Sequence, residues 1–510
     1  MALTKARNRM IEGAQINVLD YGAIGDGFAN DTVAVQAAIT ASNGLPVVFN
    51  AGKTFLCTTL TVSSNDHLII NGTIKSFASI GNNPLITGST ISNVRIEGSG
   101  VVDGNKASVG AVNSTGIYLV NATNCRVQDI TIQNCYLENN PGIDGAGLWI
   151  EGGSNNSANN VISDNHRGNG FVFGNLTDSF TQECRSSNNV FGSGIAHTRG
   201  LRAKSINDFA ENNAFSNITI NCEESQIISP TSRGSGYSGI NIGHDSAASD
   251  ASRTLLVGGV TENNNFEGIS VAGSSDVTII GTYVNNNGAN SGANDRYGVR
   301  TLSGCERLHL IGLKVTASKN SGIYLQSGSG HRIESCKSYA NDRTGMLLTV
   351  TEANVSDCEV FNNNQLGGVN RAGIQLSSGN VSVTDSNIYD SQGSPTQSYG
   401  VLTNGGAHNL IGCSLSGNAV SETSSPSGTI SFYQTRVGSD SMTGTVTLSA
   451  GTSTVVTNNN AISASRIILI PRSAAAVALN PYSFNVVANT SFTINHFNAA
   501  GTEPINYIIM

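Results

Sequence analysis

The residue types best suited to acid–base and sugar chemistry in this 510-residue sequence gather in three short strings, GINIGHD, NNFEGISV and RYGVRTL. Glu267 and Arg300 form the leading pair, with Asp245 as a second carboxylate, His244 beside it and Tyr297 as a further proton carrier. Cleaving a glycosidic bond takes two carboxyl groups, about 5–5.5 Å apart in retaining and 6.5–9.5 Å apart in inverting enzymes, one of which keeps its proton. Glu267 and Asp245 fit those two roles. The same cluster also suits an elimination, in which Arg300 or Arg296 neutralises a uronate carboxylate while Tyr297 or His244 moves a proton. Asn241 stands one step upstream, and Trp149 beside Glu151, with Tyr324 further on, offers flat apolar faces for sugar rings. Plainer readings compete: a surface ion pair for Glu267 and Arg300, and a subunit-interface aromatic for Trp149.

Those residues need a scaffold, and a repeat supplies it. Gly followed by an apolar-x-apolar triplet recurs at 116, 147, 170, 194, 239, 268, 298, 322, 345, 373 and 400, mostly at spacings of 23 to 31 residues, with a second strand signal in between. Two or three short strands per period fit one coil of a parallel β-helix, in which no coil can bury its apolar face without its neighbours. Strand alternation then turns positions +1 and +3 after each glycine inward and +2 and +4 outward. Tyr118, Trp149, Asn241, Arg300 and Tyr324 thereby fall in one outward column. His197 is nominally inward, which makes it a core residue. Asn runs at the turns read as stacked amide ladders. The 45-residue interval from 194 to 239 is either two coils, one without its glycine, or a protruding loop. SDNHRGNG, with Asp164, His166 and Arg167, reads as a solvated turn.

Both ends depart from the repeat. Residues 17–52 contain one predicted helix, with Asp31 or Thr32 as N-cap and Val33, Val35, Ala38 and Ile39 as its apolar stripe, covering the open end of the stack. Alternating strands without coil glycines close the chain. The fold class is therefore all-β, a parallel β-helix with an N-terminal helical cap and a small C-terminal β-sandwich. The expected domains are 1–50 for the N-terminal connection and cap, 51–430 for the β-helix and 431–510 for the sandwich.

Composition removes other classes. Charged residues make up 12% and the net charge is −8, so no basic surface for nucleic acid is expected. No 18-residue apolar stretch argues for membrane insertion, and MALTKARNRMIEG lacks the apolar core of a signal peptide. Nine cysteines without CxxC spacing argue against a metal cluster or disulfide framework and for small buried hydrophobes. No cofactor is expected, and no Asp-rich loop marks a metal site.

The string NVLDYGAIGDGFANDTVAVQAAI resembles the capping segment of the pectate-lyase-like superfamily, and KARNRMIEGAQINVLDYGA is similar to the head of bacteriophage tailspikes and capsule depolymerases. The segment from ILIPRSAAAVAL to NYIIM resembles the β-sandwich that ends many phage tail proteins. The resemblance implies a right-handed parallel β-helix with 431–510 as its trimerisation domain, and a homotrimer on the virion tail that binds and depolymerises a bacterial surface polysaccharide, capsule, O-antigen or exopolysaccharide, by hydrolysis ahead of lyase chemistry. A glycan-binding receptor-recognition protein without cleavage, or a non-viral carbohydrate enzyme or epimerase, is the alternative. Polygalacturonase-like relatives carry their catalytic groups on this kind of strand, but their paired acidic and Gly-His-Gly signatures are absent here. No sizeable head-binding domain precedes residue 14, so attachment to the tail or an adaptor is expected through a short N-terminal segment.

Overall fold

The computed structural model describes residues 14–509 except 79, 110–113, 137–144, 244–250, 290–295, 434, 438–442, 459–460, 462–464 and 488–489. The chain divides into two compact units, one ending at Lys319 and the other beginning at Asn320. In the first, three short strands make each coil; Ile195–Leu201, Lys204–Ile206 and Phe209–Glu211 are one example. Corresponding strands of successive coils pair in parallel and in register, so that Ile195, Ile218, Ile240, Ile269 and Val299 form one column. All five are completely buried. β-branched side chains suit this pleated, fully covered surface, and the stack makes one continuous apolar core.

The second unit repeats the pattern with Ile323, Met346, Ile374 and Val401 in register. Its last segment switches to antiparallel pairing. Thr443–Thr447, Pro504–Ile509 and Ile467–Pro471 form one sheet, and Gly451–Thr457, Ser491–Ala499 and Tyr482–Val487 a second. Leu448, Phe492, Ile494, Ile505 and Ile509 share a separate core there. The all-β class, the coils and the antiparallel end thus follow the repeat and its loss.

Helix α1, Thr32–Ser42, lies where the sequence placed it. Val35, Ala38 and Ile39 are buried, whereas Val33, assigned to the same stripe, is 83% exposed. Asp31 is the N-cap but makes no side-chain cap; its carboxylate accepts the N–H groups of Ile24 and Gly25 at 2.6 and 3.1 Å instead. It therefore fixes the glycine turn that feeds the helix. No helix among the described residues is long and apolar enough to cross a membrane.

The 45-residue interval holds two coils. Asn217 occupies the place of the coil glycine, and its amide donates to Ser232 Oγ at 3.0 Å and the Arg233 carbonyl at 2.9 Å while accepting from Asn213 at 2.7 Å. At several coil glycines a third-strand hydroxyl crowds that place. A Cβ on Gly170 would lie 2.0 Å from Ser186 Oγ. Asn runs do build ladders: Asn189 Nδ2 donates to Asn213 Oδ1 at 2.7 Å, Asn264 to Asn287 at 2.8 Å and Asn341 to Asn363 at 2.9 Å. All nine cysteines are free and buried.

Candidate active site

The three strings meet because they lie on successive coils. Asn241, Ser270 and Arg300 are register partners, and Glu267 sits in the turn just before the strand of Ser270. Arg300 Nη1 donates to Glu267 Oε1 at 3.0 Å, and Ser238 Oγ donates to Oε2 at 2.8 Å. The two charged side chains are 4% and 14% exposed, so the plain reading of a surface ion pair fails. Burial raises the Glu267 pKa, with the hydrogen bonds from Ser238 and Arg300 opposing it. The guanidinium also stands 5.4 Å above the ring of Tyr297, which joins the pair to the turn of the next coil.

The other proposed residues divide. His244 and Asp245 lie outside the described residues. Arg296 packs against Gly288, one residue from Tyr297. The Asn241 amide turns back to the carbonyl of Gly243 at 3.0 Å. Trp149 is six coil steps from Arg300, about 29 Å at roughly 4.8 Å per step. Its indole N–H donates to Glu151 at 3.1 Å, its ring lies 4.9 Å from Tyr118, and Glu151 is further held by Asn175 and Arg199. That group is a local network away from the pair. Tyr324 belongs to the second unit, where it pairs in register with Leu347. The outward column is also less open than alternation implies, since Val172, Ala196, Ser270 and Leu402 are buried.

His166 corrects the solvated-turn reading. It is fully buried, with Nδ1 accepting the Cys135 N–H at 3.1 Å and Nε2 facing Ser163 Oγ at 2.9 Å, and burial lowers its pKa to about 3. It is a rung of the ladder. His197 is a core residue as expected, between Ser179 and Thr181 and stacked on Phe173.

Sequence reasoning named Tyr297 but missed the aromatics at the corresponding turn of the coils before it. Phe191, Phe215 and Tyr237 are 53%, 53% and 46% exposed on successive coils. Phe266 and Tyr297 continue the series, with the Tyr237 and Phe266 rings 4.6 Å apart and Glu267 next in sequence. The signal was present as VFGSG, AFSN, GYSG, NFEG and RYG, one to three residues ahead of the strand-starting glycine or asparagine.

A parallel β-helix carrying a sealed carboxylate–guanidinium pair on its outer face is the class of protein this geometry defines. Residues 216–381 match the family model described as right handed beta helix region, and residues 440–510 match that of the C-terminal domain of K1 capsule-specific polysaccharide lyase. The tailspike protein of Escherichia coli bacteriophage HK620, solved with a pentasaccharide, superposes with a TM-score of 0.56 at 13% identity, over 98% of this chain and 94% of that one. For the Dettilon tailspike protein the values are 0.50, 14%, 97% and 94%. The mannuronan C-5 epimerase AlgE4 A-module of Azotobacter vinelandii gives 0.45 at 16% identity, over 81% and 99%. No protein of curated function matches the sequence. The fold is thus that of the right-handed β-helix proteins, and the resemblance to phage tailspikes holds across the described architecture.

Proposed function

We propose that this protein binds and depolymerises a bacterial surface polysaccharide, with Glu267, Arg300 and Tyr297 at the reaction centre. The observation that carries the reading is the buried Glu267–Arg300 pair beside an open aromatic turn, where desolvation moves the Glu267 pKa upward, the direction a general acid needs. In hydrolysis Glu267 is the acid and Asp245 the second carboxylate. The tailspike fold and the C-terminal match support a polysaccharide as substrate and a place on the virion tail, and the reading extends to a homotrimer.

One contact favours elimination as the second reading. Both Glu267 oxygens are already engaged, while the Arg300 guanidinium stacks over Tyr297, a pairing that suits neutralising a uronate while the phenol transfers a proton. Incubation with capsule, O-antigen and exopolysaccharide preparations, read both as new reducing ends and as absorbance of unsaturated uronates, tests the reading. Reducing ends alone assign hydrolysis and both signals assign elimination. Intact polymer throughout the panel overturns cleavage.

A further inference from the structure

We infer that the aromatic turn row is a binding track for an extended acidic glycan laid along the coil axis; this rests on the polysaccharide reading above. The row is continuous through the backbone. Phe191 N–H donates to the Arg167 carbonyl, Phe215 N–H to that of Gly192, Gly236 N–H to that of Asn213, Phe266 N–H to that of Tyr237, and Gly268 N–H to that of Tyr297. Each ring therefore stands on its own coil, and from Arg167 to Tyr297 five steps of about 4.8 Å span roughly 24 Å. An extended pyranose chain advances by a similar distance per sugar. Phe191, Phe215 and Tyr237, held on a rigid backbone, expose apolar ring surface to the C–H groups of such a chain at low entropic cost.

Charge selects the ligand. The protein carries a net charge of −8, yet among the described residues of the row Arg167, Arg296 and Arg300 stand against the single carboxylate of Glu267. Arg167 lies over both Tyr136 and Phe191, at 4.7 and 5.1 Å, so its cation is fixed at one end of the rings as Arg300 is at the other. Two acids alongside are ion-paired, Glu211 with Arg185 at 2.6 Å and Glu262 with Arg233 at 2.8 Å, while Asp164 accepts from the neutral side chains of Ser187 and Asn188 and keeps its charge. A local excess of guanidinium on an acidic protein fits carboxylate-bearing sugars and repels cationic polymers.

The test is binding of the full chain to an array of acidic and neutral bacterial polysaccharides, with carboxyl-reduced samples of the acidic ones. Acidic polymers should bind and their reduced forms should not. Phe215→Ala and Tyr237→Ala, both at exposed positions, should each weaken binding roughly 3- to 10-fold. Equal binding of native and reduced polymers, unchanged affinity in both ring variants, or no binding to any acidic polymer overturns the track. A drop in assembly size on sedimentation of the ring variants also overturns it, assigning the rings to a contact with a second copy of the chain. Glu267→Gln separates the two levels: lost cleavage with ring variants that bind as wild type leaves the proposed function standing without the track. A chain that neither cuts nor retains any polymer removes the proposed function itself.

Discussion

Individual side chains inside the coils set opposing pH dependences. Asp208 is buried and accepts from Thr181 Oγ1 at 2.5 Å, Ser205 Oγ at 2.7 Å and the Cys184 N–H at 2.8 Å, yet desolvation still raises its pKa to about 6. The folded state then binds more protons than the unfolded chain between about pH 4 and 6, so its contribution is full below the unfolded pKa and is lost as pH rises through 6. His166 and His197, lowered to about 3, work the other way: their contribution is present above pH 6.5 and is lost as pH falls toward 3. Thermal midpoints of wild type and Asp208→Asn between pH 4 and 7 should converge or cross as pH rises, because only wild type loses the carboxyl contribution. Parallel curves would remove Asp208 from the account. At the outer face, Glu267→Gln keeps the shape of the side chain but not its transferable proton, so turnover should fall at least about 100-fold with polymer binding retained. Equal turnover would exclude Glu267 as the acid.

At the scale of the coil, amides and hydroxyls do what apolar residues cannot: they satisfy the backbone at the turns. Asn217→Gly should therefore destabilise the protein although glycine is the rule at that place. The substitution removes bonds to Asn213 Nδ2, Ser232 Oγ and the Arg233 carbonyl; Asn213 keeps the Ser186 carbonyl and Arg233 keeps the Asn212 N–H, so the cost, about 1–3 kcal/mol for a buried group left unsatisfied, falls on Ser232. A chemical denaturation midpoint equal to or above wild type would show that the asparagine is only tolerated. The same chemistry decides what could be read from the sequence. Coil glycines, inward apolar triplets and Asn ladders were legible because stacking imposes them at fixed positions. The Glu267 and Arg300 contact was legible because adjacent coils bring fixed offsets together. The distance of Trp149 from the pair was not legible, since a shared column says nothing about how many coils separate two residues. Val33 and the buried members of the outward column were misread because alternation gives a direction and not what covers it. His166 was misjudged because a polar turn and a buried ladder rung have the same composition.

For the whole molecule, a net charge of −8 makes the medium part of recognition. An acidic polymer must approach a like-charged protein and bind at a local cationic row, so salt acts on both long-range repulsion and short-range attraction. The screening length shrinks from about 30 Å at 0.01 M to about 8 Å at 0.15 M, longer and then shorter than the row itself. Raising salt from physiological to 1 M should then weaken binding, since little repulsion is left to screen while the guanidinium contacts are still losing strength. Affinity that is flat over that range would leave the rings as the sole source of binding. The regularity of those rings has one more effect. A surface that repeats at every coil offers a ligand of matching pitch several nearly equivalent registers, so a bound chain that slips by one sugar finds its contacts again. Such a protein would hold its polymer loosely in position but firmly overall, walking along a thick glycan layer by small slips in place of release and recapture.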